Sequence, residues 1–246
     1  IRVSAWDRDS IDVRGRLARG EHFFLEGDTR GVKMGVMDHA DGRTVRPSDL
    51  VVRVPRSSML SIKSVSAAVV AIDVSGWFYS VSGAIRLSGH TGNVEVESLG
   101  GDVDVDVAAP WVRARTGDGQ LVIRGAPEDL DAATVRGPLD VESGDVSRGR
   151  FSSVQGDIHF AGTPAPDGLL DFSNHSGAVE LVLPRATAAT LDLSSVTGPI
   201  ENGFTRVRAA AGQVPSQGST LHLQLGSGGP HVTVRTFKGT IRLRPR

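Results

Sequence analysis

Ser82-Gly83-Ala84-Ile85-Arg86-Leu87 is the stretch that decides the fold. It reads as a turn, then side chains pointing outward, inward, outward and inward. The phrase returns at Gly101-Asp102-Val103-Asp104-Val105, Gly119-Gln120-Leu121-Val122-Ile123 and Gly137-Pro138-Leu139-Asp140-Val141. It returns again from Gly156, Gly177, Gly198 and Gly239, with successive glycines 18, 18, 18, 19, 21, 21 and 41 residues apart. The last step is two turns long, so one copy is replaced there. Two residues after each glycine stand Ile85, Val103, Leu121, Leu139, Ile158, Val179, Ile200 and Ile241. Four residues after it stand Leu87, Val105, Ile123, Val141, Phe160, Leu181, Asn202 and Leu243. Strand side chains alternate faces, so both columns point one way. Stacked coils set like above like, about 4.8 Å apart, and bury a continuous apolar ladder that no single coil could bury. The pattern predicts an all-β, β-solenoid-like stack of short two-strand coils with about 18–21 residues per turn. The glycines are expected where the chain turns sharply, often at positive φ.

Gly76, Gly83, Gly92 and Gly101 are 7, 9 and 9 residues apart. Nine is half of eighteen, which suggests a second strand per coil on a facing sheet. Its turn positions would be Gly76, Gly92 and Pro110, and its inward column Phe78, Val94, Val112 and Leu130. Residues 1–57 lack the phrase and read as an N-terminal β cap, with strands near Ile1–Trp6, Ser10–Val13, Glu21–Glu26, Gly31–Met37 and Leu50–Val54. Asp38–Asp49 is polar and turn-rich. Residues 58–246 read as the repeat stack, continuous with the cap. Thr163–Gly168 reads as a surface loop, and residues 205–218 as a longer one. Ser219–Leu225 and His231–Arg235 suggest a closing hairpin, with Thr240–Leu243 as the final strand.

The composition is that of a globular chain: 246 residues, 39% hydrophobic and 22% charged. Aromatics make up only 5%, which suits a thin aliphatic core. No apolar run is long enough to span a membrane as a helix. Without cysteine, disulfides and thiolate metal sites are excluded. The net charge of −1 hides a balance of +3 over residues 1–94, −10 over 95–180 and +6 over 181–246. Ile1 stands where Met would begin a nascent chain, so an upstream signal peptide or anchor is expected.

The Ser-x-Ser-Gly-x-Ile type of phrase resembles the adhesin-like β-strand-repeat family of bacterial proteins, a domain of unknown function. Val3-Ser4-Ala5-Trp6-Asp7-Arg8-Asp9, Val54-Pro55-Arg56-Ser57-Ser58 and Leu183-Pro184 are similar to that family's opening and pre-repeat segments. The resemblance implies an exported, non-enzymatic β-repeat domain beyond or beside a membrane, and it supplies no catalytic residues. Pro138 and Pro199 stand where the family pattern has a polar residue, which brings strand pairing there into question.

Chemistry is hard to find. None of the seven histidines pairs with another at metal-ligand spacing, though His159 stands as a local charge partner for acidic neighbours. Asp102, Asp104 and Asp106 alternate outward and, with Asp140 and Asp157, could form an acidic face; calcium prefers a curved loop, so solubility is the simpler role. No serine sits in G-x-S-x-G, and Gly226-Ser227-Gly228-Gly229 opens no helix as a phosphate loop would. Ser82, Ser153, Ser176 and Ser195 recur at turns, as structural hydroxyls do. No enzyme activity, cofactor, metal or nucleic acid is expected. The candidate contact surface is aromatic: Trp77, Tyr79 and Trp111 pointing outward, with Arg113 beside them and Trp111 in the column of Trp77. The expected function is a rigid exported body, periplasmic or at the cell surface, docking a protein partner such as a membrane-bound complex. A carbohydrate-binding or carbohydrate-active β-helix is the alternative.

Overall fold

The computed structural model describes residues 1–28, 31–38, 48–204 and 218–246. The early strands are β1 (Arg2–Trp6), β2 (Asp12–Arg16), β3 (Glu21–Asp28), β4 (Gly31–Asp38), β5 (Asp49–Pro55), β6 (Met59–Ser64), β7 (Val69–Ile72) and β8 (Ser75–Ser80). The central ones are β9 (Ile85–His90), β10 (Val94–Ser98), β11 (Val103–Thr116), β12 (Leu121–Thr134), β13 (Leu139–Ser153) and β14 (Ile158–Asn174). The chain closes with β15 (Val179–Leu183), β16 (Ala189–Ser195), β17 (Ile200–Asn202), β18 (Ser219–Leu225), β19 (His231–Thr236) and β20 (Ile241–Pro245). The described residues contain no helix, so none is long and apolar enough to cross a membrane. The 39–47 part of the polar Asp38–Asp49 segment, and residues 205–217 of the expected loop, lie outside the described residues.

The architecture is a β-solenoid of parallel rungs, as the repeat predicts. One ladder, face A, runs β2–β5–β1–β7–β9 and on through the first halves of β11 to β14 to β15, β20 and β17. The second, face B, runs β6–β8–β10, the second halves of β11 to β14, then β19, β16 and β18. The strands β11 to β14 pass through the corner between faces without a break, where two separate short strands are expected. The hairpin β3–β4 forms a small sheet of its own. Thr163–Gly168 is not a free loop: it bulges within β14, where the register against β13 shifts.

Face A obeys the code. Val69, Ile85, Val103, Leu121, Leu139, Ile158, Val179 and Ile241 stack in register and are buried. Inward residues of both faces belong to one apolar cluster. Phe160 of face A packs edge-on to Phe172 of face B, which stacks on Phe151 at 4.6 Å. Face B departs from the expected register at its first member. Phe78, Val94, Val112 and Leu130 are all buried, but Phe78 pairs with Val96, and Gly76 occupies the rung position of Val94. Gly76 is therefore an inward residue rather than a turn residue.

The repeat glycines are needed for a different reason from the one expected. None of the eight has a positive φ. Left-handed backbone falls at the opposite corner instead, at Gly89 (φ 106°) and Gly125 (φ 93°). At each repeat glycine an added Cβ would come closer than 3.0 Å to the carbonyl of the preceding coil, a separation real Cβ atoms essentially never show. The corner is so tight that successive backbones touch where a side chain would stand.

Three residues before each repeat glycine is a buried hydroxyl or amide: Ser80, Ser98, Thr116, Thr134, Ser153, Asn174, Ser195 and Thr236. Five of them, Ser98, Thr116, Asn174, Ser195 and Thr236, bond to the repeat glycines, Thr134 donates to Ser153, and Ser80 Oγ has no partner. The Gly101 N–H donates to Ser98 Oγ at 2.9 Å, and Thr116 Oγ1 donates to the Gly101 carbonyl at 3.1 Å. Asn174 takes both roles, accepting from Gly177 N at 3.2 Å and donating to Gly156 O at 2.9 Å. Ser195 does the same between Gly198 and Gly239. The prolines after Gly137 and Gly198 do no damage, because only the carbonyl at that position serves the ladder. Leu121 donates to Pro138 O and Ile241 to Pro199 O, each at 3.0 Å.

The C-terminal order departs from the sequence. β18 and β19 form no hairpin: β18 pairs antiparallel with β16, and β19 lies parallel between β14 and β16. Likewise β20 lies between β15 and β17. In space, Gly239 therefore stands between Gly177 and Gly198. The 179–202 coil has a double pitch, and residues 231–245 fill its gap. At the other end, β1 lies between β5 and β7 in the same way.

Gly137→Ala should lower unfolding stability by about 2–4 kcal/mol, since neither backbone can retreat. Gly144→Ala, with nothing within 4 Å of its added Cβ, should stay within about 0.5 kcal/mol of wild type. Urea titration of the two variants checks the contrast.

Candidate functional site

The outward side of face B carries the predicted contact residues. Trp77 and Tyr79 lie two apart on β8, so both project from the same face. Their rings stack at 5.7 Å with 19° between planes. Lys63 Nζ, from β6, lies 4.9 Å from the Trp77 ring centroid. Down the column from Trp77, the partners rung by rung are Glu95, Arg113, Asp131, Arg150 and Asp171. The signs alternate. Arg113 lies 3.5 Å from Glu95 and 3.9 Å from Asp131, Arg115 lies 3.7 Å from Asp131, and Arg235 lies 3.4 Å from Asp171. Neighbouring charges therefore neutralise one another, and the aromatic pair lies between this ladder of charges and Lys63 on β6.

Trp111 is not in the column of Trp77. It pairs with Asp129, while Trp77 shares its column with Arg113. The two-residue slip in reading Gly76 produced the error. All four residues still lie on one side of face B, within the strands β8 to β11, and all four are half-buried.

Of the expected acidic face, only Asp106 is exposed without a partner; the other four carboxylates are engaged. Asp104 holds Arg124 at 2.7 Å. Asp102 and Asp157 accept from the next coil's backbone, at Gln120 N and Ala178 N. Asp140 accepts from Gln120 Nε2 at 2.8 Å and lies 3.9 Å from His159, the expected local charge partner. Among the described residues no group of His, Asp or Glu is arranged to hold a metal ion.

One polar cluster was invisible in the sequence. Asp192 on β16 lies between two imidazoles: His222 of β18 contacts one carboxylate oxygen, and His231 Nε2 of β19 lies 3.0 Å from the other. They line a shallow pocket of about 500 Å³ with Thr233 and Arg235. Residues 192, 222 and 231 meet only because β16 has β18 on one side and β19 on the other.

The corner from face B back to face A forms a ridge. Between each buried hydroxyl or amide and its glycine, or between Ser64 and Ala67 in the first rung, are two solvent-facing residues. In spatial order the first of them is Val65, Val81, Leu99, Gly117, Val135, Val154, His175, Phe237 and Val196. Val65 is 72% exposed, and the other aliphatic members and Phe237 are 37–50% exposed. His175 stacks on Phe237 at 5.0 Å. The second column is polar or small: Ser66, Ser82, Gly100, Asp118, Arg136, Gln155, Ser176, Lys238 and Thr197. Arg136 donates to Asp118 through Nε at 2.6 Å and Nη2 at 2.7 Å. That pairing holds the Asp118 carboxyl below the usual carboxylate range and raises the Arg136 guanidinium.

The Toastrack DUF4097 family matches residues 1–244. The chain belongs to that family. Toastrack DUF4097 is a domain of unknown function, so membership brings no catalytic or binding residues to this chain. No curated protein matches it. A solved structure of a candidate cell adhesion protein from Clostridium sporogenes aligns over 100% of this Toastrack chain and 87% of its own. The identity is 8% and the TM-score 0.28, too low to support any argument.

Arg136→Ala should return the Asp118 carboxyl upward to the ordinary range in a pH titration followed by carboxyl NMR. Asp118 titrates low in the fold, so the pair's stabilisation is present above the ordinary carboxylate range. It is lost as pH falls through the lowered value, and the variant should lack that part of the acid transition.

Proposed function

We propose that this chain is a non-enzymatic structural and interaction domain. It is exported to the periplasm or cell surface and presents the aromatic end of face B to a protein partner, as an accessory subunit of a membrane-bound complex. The observation that carries this reading is the setting of Trp77 and Tyr79. They are large, stacked and half-buried, on a strand whose alternate residues Gly76, Phe78 and Ser80 are locked in the interior. A partner meeting them has little side-chain motion to freeze, and tryptophan and tyrosine anchor interfaces well for that reason. Alternating charges beyond them give register without a large field of one sign. The ring geometry counts against the carbohydrate alternative. Sugar stacking needs a bare ring face, whereas Trp77 is already engaged by Tyr79 and Lys63.

Affinity purification of the tagged chain from detergent-solubilised membranes tests this. One partner should co-purify in fixed proportion. Trp77→Ala should weaken its capture at least ~10-fold, the effect of losing an interface anchor, with the chain's own melting temperature little changed. Undiminished capture by Trp77→Ala combined with Tyr79→Ala would remove face B as the contact.

A further inference from the structure

We infer that the apolar ridge at the face B to face A corner is the contact between two copies of this chain, laid antiparallel across a two-fold axis between the rungs of Gly117 and Val135. Folding does not require the ridge to be apolar, because its side chains are in water. Yet nearly every rung places Val, Leu or Phe there. Contiguous exposed apolar surface of this kind marks a contact site. At about 4.8 Å per rung, the nine rungs make a straight line roughly 38 Å long.

Three features point to a second copy as the occupant. The first is period: another copy has the same rise, so rung can meet rung over eight of the nine, with Val196 beyond the overlap. The second is charge. Asp118 and Arg136 are adjacent in the second column. With the axis between them, each Asp118 faces the other copy's Arg136, whereas a parallel arrangement would set like against like. On the same axis Lys238 faces Ser66, and Gly117 leaves room for Val135. The third is size: eight overlapping rungs of two solvent-facing residues approach the roughly 20 residues a side of a stable interface. The contact is isologous and closes as a dimer. It leaves the outward side of face B free, so it stands or falls separately from the partner reading above.

Light scattering on the full chain during size exclusion tests the state. Wild type should run as a dimer, and so should Trp77→Ala. Val135→Glu should raise the dissociation constant at least ~100-fold, burying a charge at the axis, with the circular dichroism of the folded chain unchanged. Arg136→Asp should do the same by facing acid with acid, and Asp118→Arg added to it should restore the dimer. Cysteine pairing tests the geometry, and the chain has no cysteine of its own. Leu99 faces Val154 of the other copy, but within one chain they are three rungs apart, beyond disulfide reach. Leu99→Cys combined with Val154→Cys should therefore give a covalent dimer on mild oxidation, and either change alone should not. A wild-type monomer at about 100 μM, a dimer indifferent to Val135→Glu, or a monomer that floats with lipid vesicles through this ridge would each overturn the inference.

Discussion

At one corner of the coil the backbone of each repeat glycine touches a carbonyl of the neighbouring coil, in all but the first copy that of another repeat glycine, and in most coils a buried hydroxyl or amide bonds to these glycines. Parallel rungs elsewhere tolerate many side chains. This corner tolerates none at the glycine and few at the position three residues earlier. A hydroxyl or amide can accept from its own turn and donate to its neighbour's, as Asn174 and Ser195 do, and so satisfies backbone groups that would otherwise be buried alone. The tight corner brings faces A and B close enough to share one aliphatic core. That closeness explains why Val, Ile and Leu dominate the interior and why the larger rings gather where Phe151, Phe160 and Phe172 meet.

The face A columns were legible because strand periodicity and the glycine spacing agree over seven of the eight copies. The family was legible from the same phrases. On the second face Val94, Val112 and Leu130 do share a column, and only its first member is two residues off, Gly76 standing where Phe78 is expected. Gly76 has the same letter as the turn glycines, but it is an inward residue at a φ of 138°, pressed against Leu60. That slip put Trp111 in the wrong column while leaving Trp77, Tyr79 and Arg113 on the correct side. The hydroxyl column could have been found: Ser, Thr or Asn stands three before all eight repeat glycines. Counting the motif from the glycine forward hid it.

Other features could not be read from the chain. β19 and β20 carry the same inward-outward pattern as any coil, so nothing in their residues says they enter between earlier strands. The Asp192 cluster depends on that entry, since His231 reaches the carboxylate only from the inserted strand. Pairing partners are chosen by the assembled core, and periodicity reports only which side chains face it.

The interleaving has a consequence for how the molecule assembles. From β7 as far as Asn174, the body can be wound like thread on a spool, each new turn laid on the last. Beyond that point winding in order fails, because the next place on face B belongs to β19, which comes later in the chain than β16 to β18. β15 is laid directly on β14, but β16 and β17 reach the stack only through β19 and β20, which come later in the chain. Closing that end therefore depends on contacts distant in sequence, whose loop-closure entropy must be met before any pairing rewards it.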